Sequence, residues 1–102
     1  MRIMLACCAG MSTSLVVTSM EEAAKAQGKG DYKIWAVDQS MIEEEMGNFD
    51  VLLLGPQVRH ILRKVKKIVN GTVPVDIINP MDYGRCNGAA VLKQAEDLVG
   101  GK

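Results

Sequence analysis

Apolar and polar residues alternate along this chain in two rhythms, one suited to buried strands and the other to helices lying on a sheet. Met1 to Ala6 is a short apolar run that predicts a buried strand. From Thr13 to about Gln27, Leu15, Val16, Ser19, Met20, Ala23 and Ala24 form a helical stripe, which Gly28-Lys29-Gly30 stops. Tyr32 to Val37 alternates, as a strand near a sheet edge does. Ser40 then stands where it would cap a short acidic helix containing Glu43, Glu44 and Glu45. Asp50 to Leu54 is apolar after its first residue and ends at Gly55-Pro56; a run of this kind belongs in the middle of a sheet covered on both faces. Val58, Ile61, Leu62, Val65, Ile68 and Val69 make the next helical stripe, with Arg59, His60, Arg63, Lys64, Lys66 and Lys67 opposite and Asn70-Gly71 at the end. Pro74 to Ile78 gives a fourth strand, Asn79 to Gly88 a loop, and Ala89 to about Val99 a last helix. Strands alternating with helices predict an α/β fold, an open four-stranded parallel sheet with helices on both faces and ligands at the carboxyl ends of its strands.

Composition narrows the function without choosing it. With 102 residues, 48% of them hydrophobic, the chain is expected to form a single domain over 1–102. Lys plus Arg and Asp plus Glu are balanced at 12 each, which argues against a nucleic-acid partner. No apolar stretch approaches the roughly 18 residues of a membrane span, and no leader is evident, so a cytosolic, soluble protein is expected. Three cysteines, two of them adjacent, point to a reducing compartment rather than a disulfide framework. A metal site is not expected: there is no Cys-x-x-Cys pair, and the single histidine, His60, is far along the chain from every cysteine. No cofactor is expected either.

The chemistry concentrates in Cys7-Cys8-Ala9-Gly10-Met11-Ser12-Thr13-Ser14, where the first strand turns into the first helix. Such a turn offers backbone N–H groups, three hydroxyls and the positive end of a helix, with no carboxylate of its own to repel an anion. A free thiol has a pKa of about 8.5, so keeping it ionised at neutral pH takes roughly 2 kcal/mol. A helix N-terminus supplies about 0.3 to 2 kcal/mol, and loop amides can supply the rest. Cys7 is therefore a candidate nucleophile that needs no histidine, and the donors that hold its thiolate could also hold a phosphoryl group passed to it. Cys8 and Cys86 are read as thiols without assigned chemistry, and Met11 as packing or partner contact. Two reactions compete. A cysteine phosphatase loop places an arginine six positions after its cysteine, where this chain has Thr13, and without that clamp transfer between carriers is better supported than hydrolysis.

The loop Cys7 to Leu15, the segment Val51-Leu52-Leu53-Leu54-Gly55-Pro56-Gln57-Val58, and Met81-Asp82-Tyr83-Gly84 with Val91-Leu92 closely resemble the IIB component of the lactose/cellobiose (chitobiose) family of the bacterial phosphoenolpyruvate-dependent sugar phosphotransferase system (PTS). The resemblance runs over essentially the whole chain. It implies strand order 2-1-3-4, similar to the low-molecular-weight tyrosine phosphatase architecture. It also implies that a phosphohistidine on the IIA protein donates its phosphoryl group to Cys7, which passes it to a β-glucoside-type disaccharide (cellobiose, chitobiose or lactose) held by the membrane permease IIC. Cys8, Ala9, Gly10, Met11, Ser12, Thr13 and Ser14 would cradle the phosphate. The protein would then be cytoplasmic and meet the inner face of the membrane transiently, through IIC. Given that strand order, the loop Gly55-Pro56-Gln57 would lie beside the Cys7 loop, while Tyr83 would be one strand farther away; Gln57 and Tyr83 are candidates for the site or for a partner surface. The alternative activity on the same fold is a small cysteine-dependent phosphatase or an arsenate-reductase-like enzyme. A regulatory binding module that has lost transfer is a third reading.

Overall fold

The computed structural model describes residues 1–7 and 11–100, with the backbone alone for residues 11–13. Four strands, β1 (Arg2–Cys7), β2 (Lys33–Asp38), β3 (Val51–Leu54) and β4 (Val75–Ile77), form one sheet in the order β2-β1-β3-β4. All three pairings are parallel. The helices are α1 (Met11–Ala26), α2 (Leu62–Val69), α3 (Pro80–Gly84) and α4 (Gly88–Val99). The two central strands carry the buried apolar runs, because a strand covered on both faces cannot alternate with polar residues.

Alternation along β1 and β3 divides the core in two. Ile3, Leu5, Val51 and Leu53 face Val16, Met20 and Ala24 of α1 and Val91, Leu92 and Ala95 of α4. Met4, Ala6, Leu52 and Leu54 face Ile42, Phe49, Val58, Val65 and Val69 on the other side. The period of two puts Cys7 in phase with Ile3 and Leu5, on the side of the helix that follows it.

The structure departs from the sequence reading in four places. The acidic segment is not an α-helix but two 3-10 turns, Gln39–Met41 and Glu43–Glu45, and its cap is Asp38 rather than Ser40. Asp38 Oδ2 accepts from Ser40 N (3.0 Å) and Ser40 Oγ (2.7 Å), and with Ile42 as its one buried residue the segment is too short of apolar positions to fund a longer helix. The helix expected from Val58 begins as a 3-10 stretch, Pro56–Ile61, with Val58 off helical geometry, and becomes α-helical only at Leu62. The expected loop from Asn79 to Gly88 contains α3, where Asn79 Oδ1 accepts from Met81 N at 2.9 Å and Pro80 fixes the first helical φ. Leu15, expected in the buried stripe of α1, is 63% exposed in the first turns of the helix, while Val16 beside it is buried.

Across the lower edge of the fold, Glu96 of α4 accepts from Lys29 and from Tyr32 Oη (3.0 Å), tying α4 to the turn before β2. The hydrogen bond from Lys29 and, less strongly, the one from Tyr32 hold the Glu96 carboxyl below its ordinary range, against the opposing effect of burial. A carboxyl lowered in the folded state stabilises fully above the unfolded value, about pH 4.3, and that contribution is lost as the pH falls through the lowered folded value. Glu96→Gln should therefore be less stable than the parent at neutral pH, with the gap closing below about pH 4 in denaturant titrations. A gap that stays constant with pH would show that the ionised carboxyl contributes nothing.

Candidate functional site

The carboxyl ends of β1, β3 and β4 bring three segments together. Cys7 closes β1, 1% exposed, with β2 on one side and β3 on the other. Gly55, just past β3, donates its N–H to Ala6 O at 2.9 Å, so the backbone after β3 lies directly against the end of β1. A Cβ on Gly55 would stand 3.2 Å from Cys7 Cβ and 2.6 Å from Gln57 Oε1. The glycine fits this close approach rather than its φ of −62°, which is open to any residue: a side chain there would displace the Gln57 amide and press on Cys7. The Gln57 side chain folds back over Gly55, and its Nε2 donates to Tyr83 Oη at 2.9 Å.

Tyr83, half-buried in α3, packs its ring against the core on the α1 and α4 side. The expectation that it would sit one strand away holds for its backbone, but the side chain reaches Gln57 and joins the cluster. Ser14 is exposed in α1. Met11, Ser12 and Thr13 have helical backbone in the first turn of α1, and their side chains lie outside the described residues. Cys8, Ala9 and Gly10, expected as the rest of the phosphate cradle, also lie outside the described residues. Cys86 is half-buried at φ +51° in the turn between α3 and α4, at the edge of the core.

The first turn of α1 contains no acidic residue, and a 16-residue helix directs its positive end toward the segment that follows Cys7. The loop Gly55-Pro56-Gln57, expected beside the Cys7 loop from the strand order, has its Gly55 N–H on Ala6 O at the end of β1. One feature escaped the sequence reading. Asp38 stands in register with Cys7 across the β1–β2 pair, a carboxylate brought close by topology rather than by sequence. Its charge is held by the Ser40 hydroxyl and then by the Ser40 N–H, which together lower its pKa below the ordinary carboxylate range.

A four-stranded parallel sheet in this order flanked by helices is shared with solved IIB domains. The lactose-specific IIB domain of the phosphoenolpyruvate:carbohydrate phosphotransferase system from Streptococcus pneumoniae superimposes with a TM-score of 0.85 over 96% of each chain, at 16% identity. The cellobiose-specific IIB component of Borrelia burgdorferi gives 0.81 at 38% identity, over 100% of this chain and 94% of that one. Residues 2–94 match the family described as PTS system, lactose/cellobiose specific IIB subunit, and the chain belongs to that family. It is 46% identical over 103 residues to the galactose-specific EIIB component of Lactococcus lactis subsp. cremoris, covering 95% of this chain and 94% of the relative. It is 38% identical over 99 residues to the oligo-beta-mannoside-specific EIIB component of Bacillus subtilis, covering 96% and 95%. The role of the chain is thus sugar phosphotransfer, and the phosphatase alternative is not favoured. Among the described residues, no helix is long and apolar enough to cross a membrane.

Proposed function

We propose that Cys7 is the phosphoryl carrier of this IIB component. Its thiolate attacks the phosphorus of a phosphohistidine on IIA; the S–P bond forms as the P–N bond breaks, and the electron pair of that bond returns to the imidazole. In the second transfer a hydroxyl of the sugar held by IIC attacks phosphorus, the S–P bond breaks, the thiolate leaves, and the hydroxyl proton passes to solvent or to a base of the acceptor. The observation that carries this reading is the position of Cys7, buried at the end of β1 beside the backbone that leaves β3 and shortly ahead in sequence of the acid-free first turn of α1. The amides of Cys8 to Ser14, with the Ser12, Thr13 and Ser14 hydroxyls, would hold the phosphoryl oxygens. Relatives named for cellobiose and oligo-beta-mannosides support a β-linked disaccharide as the transported class, whereas a third is named for galactose, a monosaccharide. Reconstitution with phosphoenolpyruvate, the general phosphotransfer proteins, IIA and IIC vesicles tests the whole sequence: phosphorylated cellobiose, chitobiose or lactose should accumulate only when this protein is present. Accumulation without it would remove the chain from the pathway.

Gln57 and Tyr83 belong to this site as a positioning pair. The Tyr83 hydroxyl fixes the end of the Gln57 amide, and the amide lies over Gly55 beside Cys7. An amide fixed there can donate to a phosphoryl oxygen without first being ordered, which lowers the barrier by the entropy already spent. Gln57→Ala and Tyr83→Phe should each slow phosphoryl uptake about 5- to 30-fold, roughly 1 to 2 kcal/mol, and the double variant should be little slower than Gln57→Ala alone. Additive losses in that cycle would show that the two side chains act separately.

A further inference from the structure

The helix that leaves the site carries a charge pattern that phosphoryl transfer does not use. Residues 56–70 hold five of the chain's twelve Lys and Arg residues and none of its twelve Asp and Glu, so the remainder carries seven basic against twelve acidic residues. Arg59, His60, Arg63, Lys64, Lys66 and Lys67 are all exposed. The opposite side of the same segment is committed to the core through Val58, Val65 and Val69. The two ion pairs among the described residues, Arg2–Asp50 and Lys29–Glu96, do not involve this helix. A neutral molecule is thereby polarised, with one basic edge and an acidic remainder.

We propose that this edge is a docking surface for the anionic phospholipid headgroups of a bilayer. The choice of occupant rests on the proposed transfer to a sugar held by a membrane permease, which requires the protein to work at the membrane surface. Cytoplasmic loops of membrane proteins are themselves enriched in Lys and Arg, so they would repel this edge, whereas the lipids between them attract it. Four to eight clustered cations on one helix face constitute a recognised electrostatic signature for anionic lipid. Val65 and Val69 of α2 are buried and Ile61, Leu62 and Ile68 pack against the core, so the contact is electrostatic, reversible and screened by salt. The acidic remainder repels the same surface, so the molecule settles with its α2 edge toward the membrane. A carrier that must leave and return between donor and acceptor gains from such weak, oriented adsorption.

The test is cosedimentation of the full chain with vesicles of phosphatidylcholine alone or mixed with phosphatidylglycerol at about three to one, at low salt and at about 0.3 M salt. Binding is expected only to the anionic vesicles and is expected to fall at least tenfold at the higher salt. The variant Arg63→Gln/Lys64→Gln/Lys66→Gln/Lys67→Gln should lose binding at least tenfold. A control with the same charge removed elsewhere, Lys25→Gln/Lys33→Gln/Arg85→Gln/Lys93→Gln, should stay within twofold of the parent. Circular dichroism should show both variants folded, since all eight side chains are exposed. Equal binding to the two vesicle types, or equal loss in the two variants, would overturn the proposal. Absence of binding would overturn it too, leaving the edge to an acidic protein partner, and phosphoryl uptake by Cys7, measured separately from IIA, would stand or fall on its own.

Discussion

Cys7→Ser should take up no phosphoryl group from IIA, a fall on the order of 10³-fold or more, while Cys8→Ser and Cys86→Ser keep the parent rate. The difference lies in the leaving proton. A thiol with a pKa of about 8.5 needs only modest help from a helix N-terminus and a few amides to be ionised at neutral pH, whereas a serine hydroxyl cannot be brought to its anion by the same donors. Serine is nearly isosteric at this buried position, so the variant should retain its secondary structure and melt within a few degrees of the parent. Cys86 stands in the turn before α4, at the edge of the core, and is not part of the cluster of Cys7, Gly55, Gln57 and Tyr83. Cys8 is adjacent in sequence, but in the family loop that this segment resembles the nucleophile stands at the first cysteine position, three before Gly10. Incorporation of radiolabel from phosphoenolpyruvate, followed on the three purified variants, separates these outcomes.

Gly88→Ala should be the most damaging small substitution in the fold. A Cβ at Gly88 would stand 2.2 Å from Ser19 C, 2.3 Å from Met20 N and 2.5 Å from Ser19 O. These are backbone atoms of α1, which cannot turn aside as a side chain would. Gly88 N also donates to Ser19 Oγ at 2.9 Å, so the start of α4 is fastened to the middle of α1. An added methyl must part the two helices, and with them Val16 and Met20 from Val91 and Leu92. Overpacking of this kind costs about 3 kcal/mol or more, a large share of the roughly 5 to 15 kcal/mol that holds a domain folded. For a chain of this size the melting temperature should fall roughly 10 to 25 °C. Gly84→Ala is the internal control, because a methyl there meets nothing within 4 Å, and its melting temperature should stay within about 3 °C of the parent. Equal melting temperatures for the two variants would contradict the packing of α1 on α4.

Most of the architecture could be read from periodicity. The continuous run Val51 to Leu54 marked a central strand, and the alternation before Val37 marked an edge strand, since burial on both faces or on one is written into residue order. The α2 stripe was legible for the same reason, with Arg59 to Lys67 on the solvent side. The misreadings were local. Ser40 and Asp38 are both good caps, and only the hydrogen-bond geometry decides that Asp38 accepts and Ser40 donates. Leu15 is spaced as a core residue, but helix periodicity does not reveal which turns of the helix are covered by the rest of the fold. In the site, the cysteine and its loop were visible because strand, glycine, hydroxyls and helix are contiguous in sequence. The contact of Gln57 with Tyr83 spans 26 residues and joins two loops, and no local pattern encodes it. The loop Gly55-Pro56-Gln57 was expected beside the Cys7 loop from the strand order that the resemblance implied, but how closely the Gly55 backbone approaches the end of β1 is tertiary.

The central claim is that the phosphoryl group rides on Cys7, and the most direct measurement is to map it. The protein, phosphorylated by IIA at neutral pH and digested without exposure to strong acid or thiol, should show one added phosphoryl group, on the peptide containing Cys7 and assigned to that sulfur by fragmentation. A phosphoryl group found instead on His60, Cys8 or Cys86, or on a serine of the loop, would contradict the account.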